Sequence, residues 1–199
     1  MLGSINPLGE RARGSRWGVT AGFFAGASVA AGATVGAVLG LAGSALLAGV
    51  GARGRLVAFG ALVLVGTTMD LRVAGMGLPT TRRQVNEDWL GRYRGWVVGA
   101  GFGAQLGVGV ATIVTTSAVY ATLGAALLAG SAGSGLLIGM AFGAARALTL
   151  VGAARADDPA RVAALDARFR RWEGSARTAA VAAQLALASA ALALALVAA

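Results

Sequence analysis

The chain has 199 residues, of which 57% are hydrophobic and only 13% are charged. This composition, with a mean hydropathy of +0.73, argues against a water-soluble globular domain. Since these residues include no Cys and no His, they can form no disulfide, thiolate relay, imidazole base or ordinary zinc site. We therefore predict no catalytic residues, no cofactor, no metal site and no enzymatic activity.

The formal net charge is +9, which raises the question of nucleic-acid binding. However, every basic residue is Arg, and the arginines lie in short segments between apolar runs. Membrane topology and anionic lipid head groups explain such a distribution more simply. We therefore predict a lipid bilayer as the main partner and no nucleic-acid partner.

Five apolar segments are long enough to cross a bilayer, for which a helix needs roughly 20 residues. They cover about 17–50, 56–73, 96–128, 135–151 and 176–198. The first and third segments exceed the requirement, so each must tilt, project from the bilayer or break. The predicted fold is an all-α polytopic transmembrane helical bundle in a single domain, with about five spans and with six or seven left open.

The arginines also predict an orientation, because positive charge collects near the cytoplasmic ends of spans. With the N-terminus inside, only Arg53 and Arg55 lie outside, Arg146 lies within a span, and the other arginines face the cytoplasm. The first apolar run is longer than the roughly 7 to 15 residues of a signal-peptide core. We therefore expect an uncleaved, multi-pass protein of the bacterial inner membrane, with its N-terminus inside and its C-terminus outside.

Two cytoplasmic segments, about 80–94 and 158–173, show amphipathic helical spacing. Asp158 can cap the second of these helices, with Pro159 at its first position. Both segments suit helices that lie at the membrane surface, and packing against the protein's own membrane ends is an equal alternative.

The first and third spans resemble each other. Trp17, Gly22 and Phe23 match Trp96, Gly101 and Phe102 at a constant spacing. Tryptophan and Gly-Phe anchors do not follow from an Ala-rich and Gly-rich composition alone, so we predict a duplicated two-span unit. The predicted topology makes the two copies parallel.

The stretch GFGAQLGVGVATIVTTSAVYATLGAALLAG, followed by GLLIGMAFGAARALTLVGA, resembles the transmembrane electron carriers of the cytochrome c biogenesis CcdA and DsbD group. That resemblance implies distant common ancestry over about 60 residues of this chain. The family carries electrons through paired membrane cysteines next to prolines, and it has inverted repeats. Since no position here matches those cysteines, none of the family's redox residues can be assigned in this chain.

Small residues recur every fourth position in the first, third and fourth spans, for example Gly32, Gly36 and Gly40. Such rows let helix backbones approach closely. They predict packing between helices of one chain, with a homodimer face as the alternative.

Polar residues of the third span provide the candidate site. Gln105, Thr112 and Thr116 would share one face of a continuous helix and could line a hydrated cavity, or they could bond within and between helices. Arg146 is the charged residue well inside a predicted span, where it could bind an anion, pair with Asp70 or extend to the head groups. The full candidate polar cavity comprises Gln105, Thr112, Thr116, Tyr120, Arg146 and Asp70.

Two functions remain open at this point. The first is transport of a small solute, which requires that the candidate residues face one water-filled cavity. The second is a non-catalytic accessory or scaffold role in a membrane complex, including an assembly like that of cytochrome c biogenesis. The second role requires another membrane protein or a second copy of the chain as partner.

Overall fold

The structure is a computed structural model that describes residues 5–75, 77–80 and 89–198. It is all-helical, and no strand occurs in these ranges. The helices are α1 (Pro7–Ala12), α2 (Trp17–Leu46), α3 (Ala52–Asp70), α4 (Trp89–Arg92), α5 (Gly95–Val108), α6 (Ala118–Leu128), α7 (Ala132–Leu148) and α8 (Pro159–Val197). Short 3-10 turns cover Val73–Gly75 and Val151–Ala153.

The predicted all-α membrane fold is confirmed. Within the described ranges, four helical segments are long and apolar enough to cross a bilayer. They are α2, α3, α7 with the 3-10 turn that follows it, and α8. The shorter apolar helix α6 is a further candidate. The predicted amphipathic segment 80–94 falls mostly on residues 81–88, which lie outside the described residues.

The third predicted span, 96–128, is not one helix. It consists of α5 and α6, and the residues between them are not helical. Gly109 ends α5 with a φ of 85°, a left-handed value that glycine adopts without steric cost. Thr112 and Thr116 lie in this irregular segment. The prediction that they share a helical face with Gln105 is therefore wrong.

Helix α8 is longer than predicted, because the amphipathic segment and the last span form one continuous helix of 39 residues. At 1.5 Å per residue it is about 58 Å long, well beyond a hydrocarbon core of roughly 30 Å. The predicted cap is confirmed, since the backbone N–H of Arg161 donates to Oδ1 of Asp158 at 2.8 Å. Part of α8 must therefore extend outside the bilayer when its apolar part spans it.

The chain divides into two compact units, and each takes separate stretches of sequence. The first unit comprises residues 1–32, 82–112 and 140–173, and the second comprises 33–81, 113–139 and 174–199. In the first unit, the buried core consists of Ile5, Phe24, Val98, Phe102 and Leu150. In the second unit, Val63, Ala121 and Ala188 are buried together, with Phe59 packed against them.

Glycines bring helix backbones into contact inside the first unit. A Cβ atom on Gly103 would lie 2.1 Å from the carbonyl oxygen of Phe24. A Cβ on Gly99 or Gly107 would lie 2.3 Å from the oxygens of Thr20 and Ser28. Since no side chain fits at these distances, α5 packs on the first half of α2 only because these positions are glycine.

The second unit contains an equivalent contact. A Cβ on Gly36 of α2 would lie 2.1 Å from the carbonyl oxygen of Gly135 in α7, and the reverse distance is also 2.1 Å. Gly40 approaches the carbonyl oxygen of Ser131 in the same way. These rows of small residues therefore lie at helix contacts within one chain.

Candidate functional site

A polar cluster in the second unit surrounds the carboxylate of Asp70, the last residue of α3. Ser117 donates to it twice, from its backbone N–H at 2.9 Å and from its hydroxyl at 2.8 Å. The hydroxyl of Thr116 and the side-chain amide of Gln184 each donate at 3.0 Å. We call Asp70, Thr116, Ser117 and Gln184 the Asp70 cluster.

The local sequence explains why Thr116 and Ser117 reach Asp70. Residues 110–116 are rich in β-branched Val, Ile and Thr, which lose rotamer freedom in a helix. The chain is therefore extended or turned until α6 begins after Ser117. The first N–H groups of a helix have no partner within the helix. The Asp70 carboxylate accepts one of these at the start of α6, where the helix dipole also favours negative charge.

Helix α8 contributes Gln184 to the cluster. The Nε2 of Gln184 also lies 3.3 Å from the hydroxyl oxygen of Thr116. Its Oε1 lies 3.0 Å from the hydroxyl of Thr67, which is 2.8 Å from the carbonyl oxygen of Val63. Two turns earlier on α8, Arg177 donates to the backbone carbonyl oxygen of Asp70 at 2.6 Å. The cluster thus joins the end of α3, the start of α6 and α8.

The chemistry available to the Asp70 cluster follows from these bonds. The four donors named above all bond to the carboxylate. Ser117 and Gln184 are only 3% and 5% exposed, whereas Asp70 and Thr116 are half-buried. A polar network whose partners are in place rigidifies and specifies a fold. In the described part of the chain, no group of three or more Asp, Glu, His or Cys residues could hold a metal ion. The arrangement is that of a hydrogen-bonded junction between helices.

The structure brings together two of the predicted site residues, Asp70 and Thr116. Tyr120 belongs to the same unit, and its hydroxyl donates to the carbonyl oxygen of Pro79. Gln105, Thr112 and Arg146 belong to the first unit. The prediction that all six residues line one cavity, and that Arg146 pairs with Asp70, stays a prediction.

Arg146 lies near the end of α7 and is partly buried. The central carbon of its guanidinium is 5.2 Å from the ring centroid of Phe142, within the range of a cation–π interaction. Its buried Nε finds no hydrogen-bond partner among the described residues. Within its own unit, the guanidinium of Arg146 therefore contacts the ring of Phe142.

Sequence reasoning missed Ser117 and Gln184. Gln184 carried a usable signal, because it is the uncharged polar side chain between Thr178 and Ser189 in an otherwise Ala-rich and Leu-rich run. A side-chain amide inside an apolar span requires a partner. Ser117 had no such signal, since its role depends on where α6 begins.

Part of the chain is similar in sequence to a methylamine utilization protein. The chain is 33% identical over 126 residues to the methylamine utilization protein MauF of Methylorubrum extorquens, strain AM1. The matched region is 63% of this chain and 44% of MauF, so the chain matches less than half of that relative's length. No protein-family model matches the chain. No solved structure gives a significant match.

Proposed function

We propose that this protein is a non-enzymatic, multi-pass accessory protein of the bacterial inner membrane that supports the assembly of a partner protein. The proposal rests on the Asp70 cluster, whose hydrogen bonds join helices α3, α6 and α8. A polar network of this kind stabilises a scaffold, because its hydrogen bonds are made between helices of the chain. The similarity to MauF supports the accessory role in general terms, because that relative is named as a protein of methylamine utilization.

The same proposal includes distant ancestry with the CcdA and DsbD group. Within these 199 residues there is no Cys, so any thiol chemistry in such an assembly belongs to a partner. The helix bounds support the predicted duplication, since α2 begins at Trp17 and α5 begins beside Trp96. In the first copy α3 follows α2, whereas in the second copy α6 and then α7 follow α5.

A second function, transport of a small solute, is favoured by one observation. The third predicted span is interrupted at residues 109–117, where Thr116 and Ser117 contact a carboxylate. Interrupted helices with polar groups at the break form the substrate sites of many transporters. The two functions differ in whether water reaches the Asp70 cluster.

Thiol labelling separates these functions, because the chain has no Cys of its own. The variant Ser117→Cys, at a position that is 3% exposed, is reconstituted in vesicles and treated with a small membrane-impermeant maleimide. The control is Ala163→Cys on the exposed surface of α8. The accessory role predicts labelling of the control alone. Rapid labelling of Ser117→Cys from either side would replace the accessory proposal by transport.

Isolation of the complex tests the accessory role directly. The tagged full chain is purified from its native membrane in a mild maltoside detergent, and its mass is measured by light scattering. We expect a defined hetero-complex with a fixed ratio of a second membrane or envelope protein. A monodisperse single chain that retains transport activity in vesicles would contradict the proposal.

A further inference from the structure

An open cavity of about 720 Å³ lies in the first unit and is lined by residues of that unit. Its wall comes from the link between α1 and α2 and from the residues around the start of α5. Four arginines line it: Arg13, Arg16, Arg92 and Arg94. This volume falls within the range of roughly 300 to 1,000 Å³ that is typical of small-molecule sites.

The cavity carries an excess of positive charge. Among the described residues that line it, the acidic one is Glu10, whose carboxylate pairs with Arg13. Arg16, Arg92 and Arg94 are exposed, and none of them forms an ion pair with a described carboxylate. Among the residues that the structure describes, no carboxylate compensates the charge of these three guanidinium groups around one opening, which favours an anionic ligand.

The floor of the cavity is built from buried polar groups. Glu10 is only 1% exposed, and the hydroxyl of Thr20 donates to its carboxylate at 2.6 Å. A Cβ on Gly95 would lie 2.5 Å from that hydroxyl oxygen. No side chain fits at position 95 without a shift, so α5 begins directly against this floor. The ion pair between Glu10 and Arg13 keeps the Arg13 guanidinium at the cavity.

Two helices begin at the cavity wall. Arg16 directly precedes α2, and Arg94 is the N-cap of α5 with no side-chain capping bond. The first N–H groups of a helix are unpaired and carry the positive end of the helix dipole. Both effects add to the attraction of the arginines for an anion. The aromatic side chains of Tyr93 and Trp96 also line the cavity, and such residues are enriched at the membrane interface.

We propose that this cavity binds a phosphate group, either in the head group of an anionic phospholipid or in a soluble phosphate ester. Guanidinium groups recognise phosphate through paired, charge-assisted hydrogen bonds. The phosphate oxygens accept from Arg16, Arg92 and Arg94, while Glu10 keeps Arg13 in place. This inference does not depend on the accessory role, because it concerns different residues of the other unit.

The experiment is calorimetric titration of the full chain in a non-ionic maltoside detergent at fixed ionic strength. The probes are inorganic phosphate, glycerol phosphate and dihexanoyl-phosphatidylglycerol. The test variant combines Arg16→Gln, Arg92→Gln and Arg94→Gln. The matched control combines Arg53→Gln, Arg155→Gln and Arg171→Gln, which removes the same charge from exposed arginines outside the cavity.

We expect saturable binding of at least one probe to the wild type and to the control. The test variant should bind that probe at least about tenfold more weakly, as loss of charge-assisted hydrogen bonds requires. Binding of the lipid probe alone assigns the site to a head group, and binding of glycerol phosphate assigns it to a soluble ester. If no probe saturates, or if both triple variants weaken binding equally, the proposal is wrong.

A milder variant distinguishes loss of phosphate binding from loss of folding. Arg94→Lys keeps the charge but removes the planar pair of donors. It should weaken binding of the same probe while leaving the helical circular dichroism spectrum and the elution volume unchanged. Unchanged affinity in both Arg94→Lys and Arg94→Gln would exclude Arg94 from the site and overturn the proposed geometry.

Discussion

Gln184 of α8 donates a hydrogen bond from its Nε2 to Oδ2 of Asp70, the last residue of α3, at 3.0 Å. The same amide is bonded through its Oε1 to the hydroxyl of Thr67. One side chain thus ties the end of α3 to the middle of a 39-residue helix. In a bilayer, where apolar burial does not drive helices together, such bonds specify which helices pair.

Replacement of Asp70 tests this junction. In Asp70→Ala, the Ser117 N–H loses its acceptor and the Gln184 amide loses the nearer of its two acceptors. Each buried donor left unpaired costs roughly 1–3 kcal/mol. We expect a loss of about 3 kcal/mol in the free energy of unfolding, measured by chemical denaturation in detergent. The control Asp166→Ala removes only an exposed pair with Arg170 and should change the free energy by less than about 1 kcal/mol. Equal effects of the two variants would show that the junction adds no stability.

The helix contacts at glycine give a second prediction. Gly36→Ala places a Cβ 2.1 Å from the carbonyl oxygen of Gly135, and overpacking of this kind costs about 1–3 kcal/mol. On the same helix, a Cβ at Gly26 meets nothing within 4 Å. Gly26→Ala should therefore be neutral or stabilise α2 by up to about 1 kcal/mol. Thermal unfolding in detergent compares the two, and a lower midpoint for Gly26→Ala than for Gly36→Ala would contradict this packing.

Local sequence signals predicted the features that depend on neighbouring residues. The start of α8 at Pro159 after Asp158 followed from capping chemistry alone. A break was one of the alternatives for this span, but its position at Gly109 did not follow, because residues 96–128 contain no charged residue and hydropathy does not separate one helix from two. The contact between Asp70 and Thr116 also depends on tertiary structure. It forms because the irregular segment after α5 brings Thr116 to the end of α3.

Acid titration at the start of α8 gives a third prediction. The hydrogen bond from Arg161 lowers the pKa of Asp157 below its ordinary value of 3.8. A carboxyl whose pKa is lowered in the folded state stabilises that state at neutral pH, and this stability is lost as pH falls through the folded pKa. Carbon-detected NMR should therefore give Asp157 a titration midpoint below 3.8. In Arg161→Gln the midpoint should return towards the ordinary value. An unchanged midpoint would mean that the hydrogen bond does not persist in solution.

Single cysteines test the proposed orientation without altering the arginines that determine it. Ala52→Cys, Ala163→Cys and Ala198→Cys all replace exposed neutral residues. With the N-terminus inside, a membrane-impermeant maleimide added to spheroplasts should label positions 52 and 198. Position 163 should be labelled only in inverted vesicles, because the proposed orientation puts the arginine-rich part of α8 in the cytoplasm. Labelling of Ala163→Cys in spheroplasts would reverse the topology, and labelling of Ala52→Cys and Ala198→Cys from opposite sides would change the number of spans between them.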